Sequence, residues 1–344
     1  MPRIGTRPAS RTLGVVLTCT AALVAVGTVT GPASAATRAQ AFQVKAMTWN
    51  ACANTAPKKG DDRCRNGRQT AKVAATIRDR IVRNQPQTRV LFLQEVCSVD
   101  VSRLQGMADL SGWKWKFTPI RFQGTGNKPS ARVTDRNCAP DKSTHAGRGK
   151  FGIAVGVRGA AQFKARYYPD AHQPIDNRHK DNYGHWNVRQ AVVCASVADW
   201  RTTVCGTHLT PLNDKGADPG LYRSAQAAQV RDLMSYAKQG VGATAYGRVL
   251  FGGDLNQSAP DGAGGSGDKS TLAPAYAQYS ECDQSAHGGK RDGRNTYENA
   301  KGTASRKLDY LFTTKGASSK CYVTNRHVST SDHKPVVDDV TYSS

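Results

Sequence analysis

Acidic residues are in short supply in this chain. Only 26 Asp and Glu face 48 Lys and Arg among 344 residues, for a formal net charge of +22. A balance so basic favours a polyanionic partner. Aromatic residues are sparse too, at 7%, whereas hydrophobic residues reach 38%, enough for a folded core. Beyond the N-terminal segment no apolar run is long enough to cross a bilayer as a helix, which excludes a polytopic membrane protein. Glycine follows no period and no heptads run through the chain, so collagen and coiled coil are excluded. No two cysteines form a C-x-x-C pair, which argues against a zinc ribbon. The Gly-rich stretch 258–270 is not a phosphate loop, because Asp268 separates Gly267 from Lys269-Ser270 where that motif needs Gly and Lys together. No linker and no internal repeat interrupts the chain.

The N-terminus carries an address. Arg3, Arg7 and Arg11 precede an apolar stretch over residues 13–29, and Pro32-Ala33-Ser34-Ala35 supplies small residues for cleavage. Gly27 and three threonines interrupt the run, which disfavours a retained anchor, and the absence of a twin arginine points to the general secretory route. The expectation is a secretory signal peptide over 1–35, a single domain over 36–344, and a secreted, extracellular protein. Cys19 falls in the removed segment and leaves eight cysteines, an even number that in an exported chain reads as disulfides. Cys194 and Cys205 lie symmetrically about Asp199-Trp200, so two strands folding back there would set them opposite each other. Pairing the rest with their nearest neighbours gives Cys52–Cys64, Cys97–Cys138 and Cys282–Cys321, one of the 105 connectivities that eight cysteines allow.

Short apolar runs at 44–49, 89–96, 152–157, 189–197, 202–208, 248–251 and 307–312 predict buried strands. Helical spacing predicts a helix over 68–83, with Ala71, Ala74, Ile77 and Ile81 on one face, and another over 221–239 ended by Gly240. A shorter helix is expected within 98–110. Trp113-Lys114-Trp115-Lys116-Phe117 alternates as an amphipathic strand with its aromatics inward. Residues 123–148 and 258–270 read as surface loops. Strands outnumber helices and many are joined as hairpins, so packed sheets with helices outside fit better than simple βαβ winding.

Six segments, five of them at these runs and one at 331–336, carry a polar residue able to handle phosphate or metal. They are Thr48-Trp49-Asn50, Gln94-Glu95-Val96, Gly206-Thr207-His208-Leu209, Gly253-Asp254-Leu255-Asn256, Leu308-Asp309-Tyr310-Leu311 and Ser331-Asp332-His333-Lys334-Pro335-Val336. Singly, most read as solvated turn residues or satisfied structural groups. Asp309 does not. A carboxylate between Leu308, Tyr310 and Leu311 is costly to bury alone, and a histidine is its natural partner.

Together and in this order, the six motifs resemble the endonuclease/exonuclease/phosphatase superfamily, which includes secreted deoxyribonucleases, base-excision endonucleases, bacterial sphingomyelinases and inositol-phosphate phosphatases. The resemblance spans residues 48–336. It implies an α/β fold, a four-layer α/β sandwich of two mixed β-sheets packed face to face with helices outside, and a metal-dependent phosphoric ester hydrolase. It implies that Glu95 holds a divalent cation, with Asn50 and Asp332 near it, and oxygen ligands suit Mg²⁺, or Mn²⁺ or Ca²⁺ in its place. Asp254 would orient and polarise the attacking water, and Asn256 would donate to a phosphate oxygen as charge grows on it. Asp309 would fix the ring of His333, which addresses the scissile phosphate, and His208 would protonate the leaving oxygen. The chain departs from the pattern at Lys334, where relatives often carry an aromatic, and at Ile153, where many carry Asn after the Gly of Phe151-Gly152-Ile153-Ala154.

Substrate must be read from the surroundings. Lys128, Arg132, Arg136, Lys142, Arg148 and Lys150 cluster in one stretch, and further basic residues lie at Arg178-His179-Lys180 and at Lys290, Arg291 and Arg294. Arg189-Gln190-Ala191-Val192-Val193 is similar to the segment of secreted deoxyribonucleases whose arginine contacts a backbone phosphate, which implies phosphate binding by Arg189. The expectation is a nuclease acting on DNA, and on RNA as a second nucleic acid, working as a monomer without a protein partner. Two alternatives stay open: a sphingomyelinase-like phospholipid phosphodiesterase acting at a membrane, and a basic polyanion-binding protein without turnover.

Overall fold

The apolar runs pair into two six-stranded sheets in a computed structural model that describes residues 41–56, 63–124, 133–174, 186–211, 218–242, 244–299, 302–324 and 331–343. The segment over 1–35 expected to be a signal peptide lies outside the described residues, as do Lys128, Arg132 and Arg178-His179-Lys180. In the first sheet the order is β16 (Ser318–Val323), β17 (Val336–Tyr342), β1 (Phe42–Asn50), β2 (Thr88–Cys97), β6 (Phe151–Arg158) and β3 (Trp113–Pro119). In the second it is β12 (Tyr279–Glu281), β15 (Asp309–Thr314), β11 (Arg248–Asp254), β10 (Thr202–His208), β9 (Ala191–Val197) and β7 (Gln162–Tyr167). Both are mixed: β1 runs parallel to β2 and β10 parallel to β11, and the other pairings are antiparallel. Two small sheets join β5 (Val133–Asp135), β4 (Arg121–Gly124) and β8 (Trp186–Arg189), and β13 (Tyr297–Glu298) with β14 (Ala304–Arg306).

Alternation decides the layers. Val90, Phe92 and Val155 of the first sheet share one buried cluster with Val193, Val204 and Leu250 of the second, so the sheets pack face to face. Gly206 lies where a Cβ would press on the rings and methyls of Phe92 and Val155, so its bare backbone permits the close approach. The opposite face of the first sheet buries Met47, Leu91 and Leu93 against α1 (Thr70–Val82) and α2 (Ser98–Gln105). The second sheet buries Phe251 and Phe312 against α3 (Pro219–Gln239) and α4 (Ala273–Gln278); a single turn, α5 (Cys282–Ala286), follows β12. The result is the expected four-layer sandwich. Each large aliphatic side chain so buried contributes about 1.5–3 kcal/mol.

Two readings need adjusting in detail. Helix α1 turns Val73, Ala74, Ile77 and Ile81 inward and leaves Ala71 exposed. The single strand expected over 189–197 is two strands, broken at Gln190. The Trp-Lys repeat is an edge strand with Trp113 and Trp115 buried and stacked, ring centroids 5.5 Å apart, and both lysines exposed. All four disulfides are present, Cys194 lying directly across from Cys205 in the β9–β10 register.

Several cations expected to meet a polyanion are already paired with carboxylates of the fold. Arg148 is fully buried, with Nη2 2.6 Å from Asp100 Oδ2. Arg291 clasps Asp261 and Asp268 at 2.8 and 2.7 Å, closing the 258–270 loop, and Arg294 pairs with Asp283.

One buried acid has few donors. Asp338 on β17 accepts from Ser319 Oγ at 2.5 Å, while its Oδ2 has no partner among the described residues. Burial pushes its pKa up to about 7. The folded state therefore holds a proton that the unfolded chain releases near pH 4, and this contribution to stability is lost as pH rises from about 4 to 7. Asp338→Asn is expected to raise Tm at pH 8 and to change it little at pH 5; thermal unfolding at the two pH values checks this, and a variant less stable at pH 8 would refute it.

Candidate active site

Strand register carries the polar motifs to one end of the sandwich. In the second sheet His208 pairs with Asp254 across β10–β11, and Asp254 pairs with Asp309 across β11–β15, so three consecutive strands set these residues side by side. Cross-strand neighbours in a sheet lie about 4.5–5.5 Å apart and share a face. Gly253, just before Asp254, has φ +140°, and a Cβ there would collide with the Thr207 carbonyl oxygen. In the first sheet Asn50 ends β1 opposite Gln94 of β2. Glu95, next along, sits at a register break with φ +55°, a left-handed backbone that turns it out of the alternation. The segment 331–333 folds back over β1: Ser331 Oγ donates to Asn50 O at 2.6 Å, and Trp49 Nε1 donates to His333 O at 3.0 Å.

Asn50 joins the two sheets. Its Nδ2 donates to Glu95 Oε1 at 3.1 Å and to Asp254 Oδ2 at 3.0 Å, and its Oδ1 accepts from Cys52 N. Asp254 Oδ2 also lies 3.4 Å from His208 Nε2 and 3.7 Å from His333 Nε2, while Oδ1 accepts from Asn256 N. The buried Asp309 has its histidine: Oδ2 is 2.7 Å from His333 Nδ1 and accepts from Thr296 Oγ1 at 2.6 Å. Thr296 is itself held by the Leu308 and Asp309 amides. Asn256, at φ +51°, spends one N–H on Leu209 O at 2.8 Å and keeps a second.

The electrostatics follow from this packing. Burial opposes protonation of His333, but the Asp309 and Asp254 carboxylates overcome it and lift the ring well above the ordinary histidine range. His208 is raised in the same way, burial being outweighed by Asp254 and, less strongly, Glu95. Burial works against ionisation of Asp254, yet the two imidazoles and the Asn50 amide hold it far below the usual carboxylate range. The group is a carboxylate between two imidazole rings, with Nε2 of each turned toward it.

Three of the residues singled out in the sequence make polar contacts outside this group. Asp332 turns Oδ1 toward Cys64 Sγ, 3.6 Å away, beside the Cys52–Cys64 disulfide, and its charge adds to those that raise His333. Arg189 is nearly buried and ion-paired with Asp170; neighbouring residues of an extended chain face opposite ways, and it is Gln190 that reaches the site. Lys334 does not add free charge, because its Nζ is 3.4 Å from Glu298 Oε1.

Other residues were invisible in the motifs. Gln226 and Gln229 of α3 are fully buried and hold the loops that follow β10 and β11. Gln229 exchanges hydrogen bonds with Thr210 N and Oγ1, and Gln226 Nε2 donates to Thr210 O at 2.6 Å. Gln257 in turn donates to Gln226 Oε1. The signal for them is two glutamines three residues apart on a stripe that otherwise reads Tyr222, Ala225, Leu233 and Ala237. Beside Glu95 and His208 opens a cleft of about 580 Å³, also lined by Arg68, Phe122, Arg136 and Gln190.

The Endonuclease/Exonuclease/phosphatase family profile matches residues 47–333, and this chain belongs to that family. It is accordingly a metal-dependent phosphoric ester hydrolase. No curated protein matches its sequence. Solved structures show the same fold. An endonuclease/exonuclease/phosphatase from Beutenbergia cavernae is 16% identical, with 88% of this chain and 72% of that one covered and a TM-score of 0.53. D. rerio TDP2 complexed with single strand DNA product is 13% identical over 88% and 99%, with a TM-score of 0.50. The mannosyl-6-phosphatase Bt3783 of Bacteroides thetaiotaomicron is 12% identical over 87% and 100%, also at 0.50.

The donors present fit a hard divalent cation. Glu95 is a carboxylate that lines the cleft, with the Asn50 amide and Asp254 beside it. No thiolate competes, since Cys52 and Cys64, which lie near Asp332, are spent in a disulfide. The buried group Asp254–Asp309–His333 is better explained as a hydrogen-bonded dyad facing a carboxylate, because a cation on Nδ1 would displace the Asp309 bond.

Proposed function

We propose that this protein is a secreted nuclease that hydrolyses phosphodiester bonds in DNA, and RNA as a second substrate. The observation that carries this reading is the cleft: it runs from Glu95 and His208 to a wall where the Arg136 guanidinium lies between two aromatic rings, 4.5 Å from Phe151 and 4.8 Å from Phe122. Guanidinium and aromatic faces are the surfaces on which nucleobases stack. The net charge of +22 supports a polyanion, and the shared fold of a DNA-bound TDP2 is compatible with it. A lipid substrate has less support, because the exposed large hydrophobics among the described residues are single valines, Val99 and Val133. Export is supported by the four disulfides and the N-terminal pattern.

In this reading Glu95 would hold a divalent cation, Mg²⁺ above all, with Asn50 orienting its carboxylate and Asp332 in the next layer out. When bound, the cation supplies Lewis-acid neutralisation of charge on the phosphate. Asp254 orients and polarises the attacking water by accepting a hydrogen bond, and the proton released as the new P–O bond forms passes across it to His208 Nε2, 3.4 Å away, once that ring has protonated the leaving oxygen. His333, its Nδ1 anchored on Asp309, offers Nε2–H to a phosphate oxygen, and Asn256 offers its remaining N–H. His208 gives a proton to the leaving oxygen as the ester bond breaks. The glutamines of α3 keep His208 and Asn256 in register.

Incubation with supercoiled plasmid and Mg²⁺ is expected to give nicked and then linear DNA, to stop with chelator, and to weaken steeply as salt rises. Intact plasmid and RNA, with phosphocholine released from sphingomyelin vesicles, would replace this reading with the phospholipid one.

A further inference from the structure

We infer that Gln190 is a substrate-contacting residue that hydrogen-bonds the nucleoside adjoining the scissile phosphate, an assignment that rests on the nuclease reading. Gln190 lines the same cleft as Glu95 and His208, is 1% exposed, and has no partner for its side-chain Oε1 among the described residues. A buried polar atom without a partner costs about 1–3 kcal/mol. A chain tolerates such a cost where a ligand supplies the missing bond.

The backbone around it is built to hold that side chain in place. Gln190 breaks the strand between β8 and β9, and the buried Gln173 repairs the break, accepting from Gln190 N and donating to Gln190 O, both at 3.1 Å. Gln229 of α3 donates to Gln173 Oε1 at 3.2 Å, so the network that steadies the His208 loop steadies Gln190 too. The Gln190 Oε1 is thus the one side-chain acceptor of Gln173, Gln190, Gln226 and Gln229 without a partner among the described residues. Its chemistry excludes an acyl chain as the neighbouring group, since hydrocarbon would leave the amide unpaired. It suits a group with N–H or O–H: a nucleobase edge or a ribose 2′-hydroxyl.

The test compares Gln190→Met, which keeps the volume and removes both polar atoms, on three substrates. On single-stranded oligodeoxynucleotide or oligoribonucleotide kcat/KM is expected to fall roughly 3- to 10-fold, about the net value of one hydrogen bond. Bis(p-nitrophenyl) phosphate, whose aryl groups carry no donor, should be hydrolysed at the wild-type rate, and Tm should not fall. Loss on RNA alone assigns the 2′-hydroxyl, and loss on both assigns the base. Should the variant fail to fold, wild-type protein on an oligonucleotide whose nucleoside beside the cleaved phosphate is replaced by a propanediol spacer must show the same loss. An equal change on all three substrates, an unchanged oligonucleotide rate, or indifference to the spacer overturns the role of Gln190 while leaving the nuclease intact. Nucleic acid untouched by a protein that hydrolyses bis(p-nitrophenyl) phosphate overturns the nuclease reading, and this inference with it.

Discussion

Replacing His333 by alanine is expected to lower kcat by about 10²- to 10³-fold on any phosphodiester the enzyme cleaves, the cost of removing one donor aimed at the charge that grows on the phosphate. The reason is geometric. His333 is locked at Nδ1 by Asp309 and presents Nε2 3.7 Å from Asp254 Oδ2, so no second ring can take its place without breaking the Asp309–Thr296 clamp. Asp309→Asn tests how that ring is tuned. The two carboxylates hold His333 protonated well above the ordinary range, and removing one charge lowers that point. If the protonated ring is the working form, activity falls as pH rises through its pKa, and the limb of the kcat–pH profile should move to lower pH in the variant. Steady-state kinetics over pH 5–9 check both statements. A His333→Ala enzyme retaining more than about a tenth of wild-type kcat, well outside the range for a lost donor, would count against the assignment.

Chelation is expected to bring hydrolysis to background, with full recovery on returning Mg²⁺. Glu95→Gln should raise the Mg²⁺ concentration for half-maximal rate by about 10- to 100-fold or more, since loss even of an outer-shell partner has that effect. The variant should fold normally. Glu95 is only half-buried, and its one hydrogen bond to Asn50 can be kept by an amide oxygen. Asn50→Ala should move the same parameter less and also slow turnover, because the Asn50 amide braces Asp254 as well as Glu95. Metal titrations of rate check the order, and a Glu95→Gln enzyme with unchanged metal dependence would place the cation elsewhere.

Much of the frame was legible because it is written in local patterns. β10 spans Thr202–His208, the run expected, and Cys194 and Cys205 face each other because a hairpin of fixed register leaves them no other geometry. Asp309 announced its partner by being a charge among apolar neighbours. The cations were less legible. Arg148 and Arg291 look in sequence like solvated charges, and only the fold reveals Asp100, Asp261 and Asp268 beside them. Lys307, inside a strand-like run, is buried 3.1 Å from Glu281 Oε1, a pair that no periodicity could signal.

The chain alone determined which side chains occupy the ends of strands, since alternation and apolar runs are properties of neighbouring residues. It thereby determined the layers and the candidates for chemistry. Tertiary structure decided which candidates meet. Asn50 reaches Asp254 across 204 positions and Ser331 reaches back to Asn50 across 281, while Arg189, one residue from Gln190, faces the other way. Distances of that kind are set by sheet pairing and by loops closing over it, and pairing is a contest among all strands at once. Local sequence can propose the partners, but only the folded arrangement with the fewest unpaired polar groups selects among them.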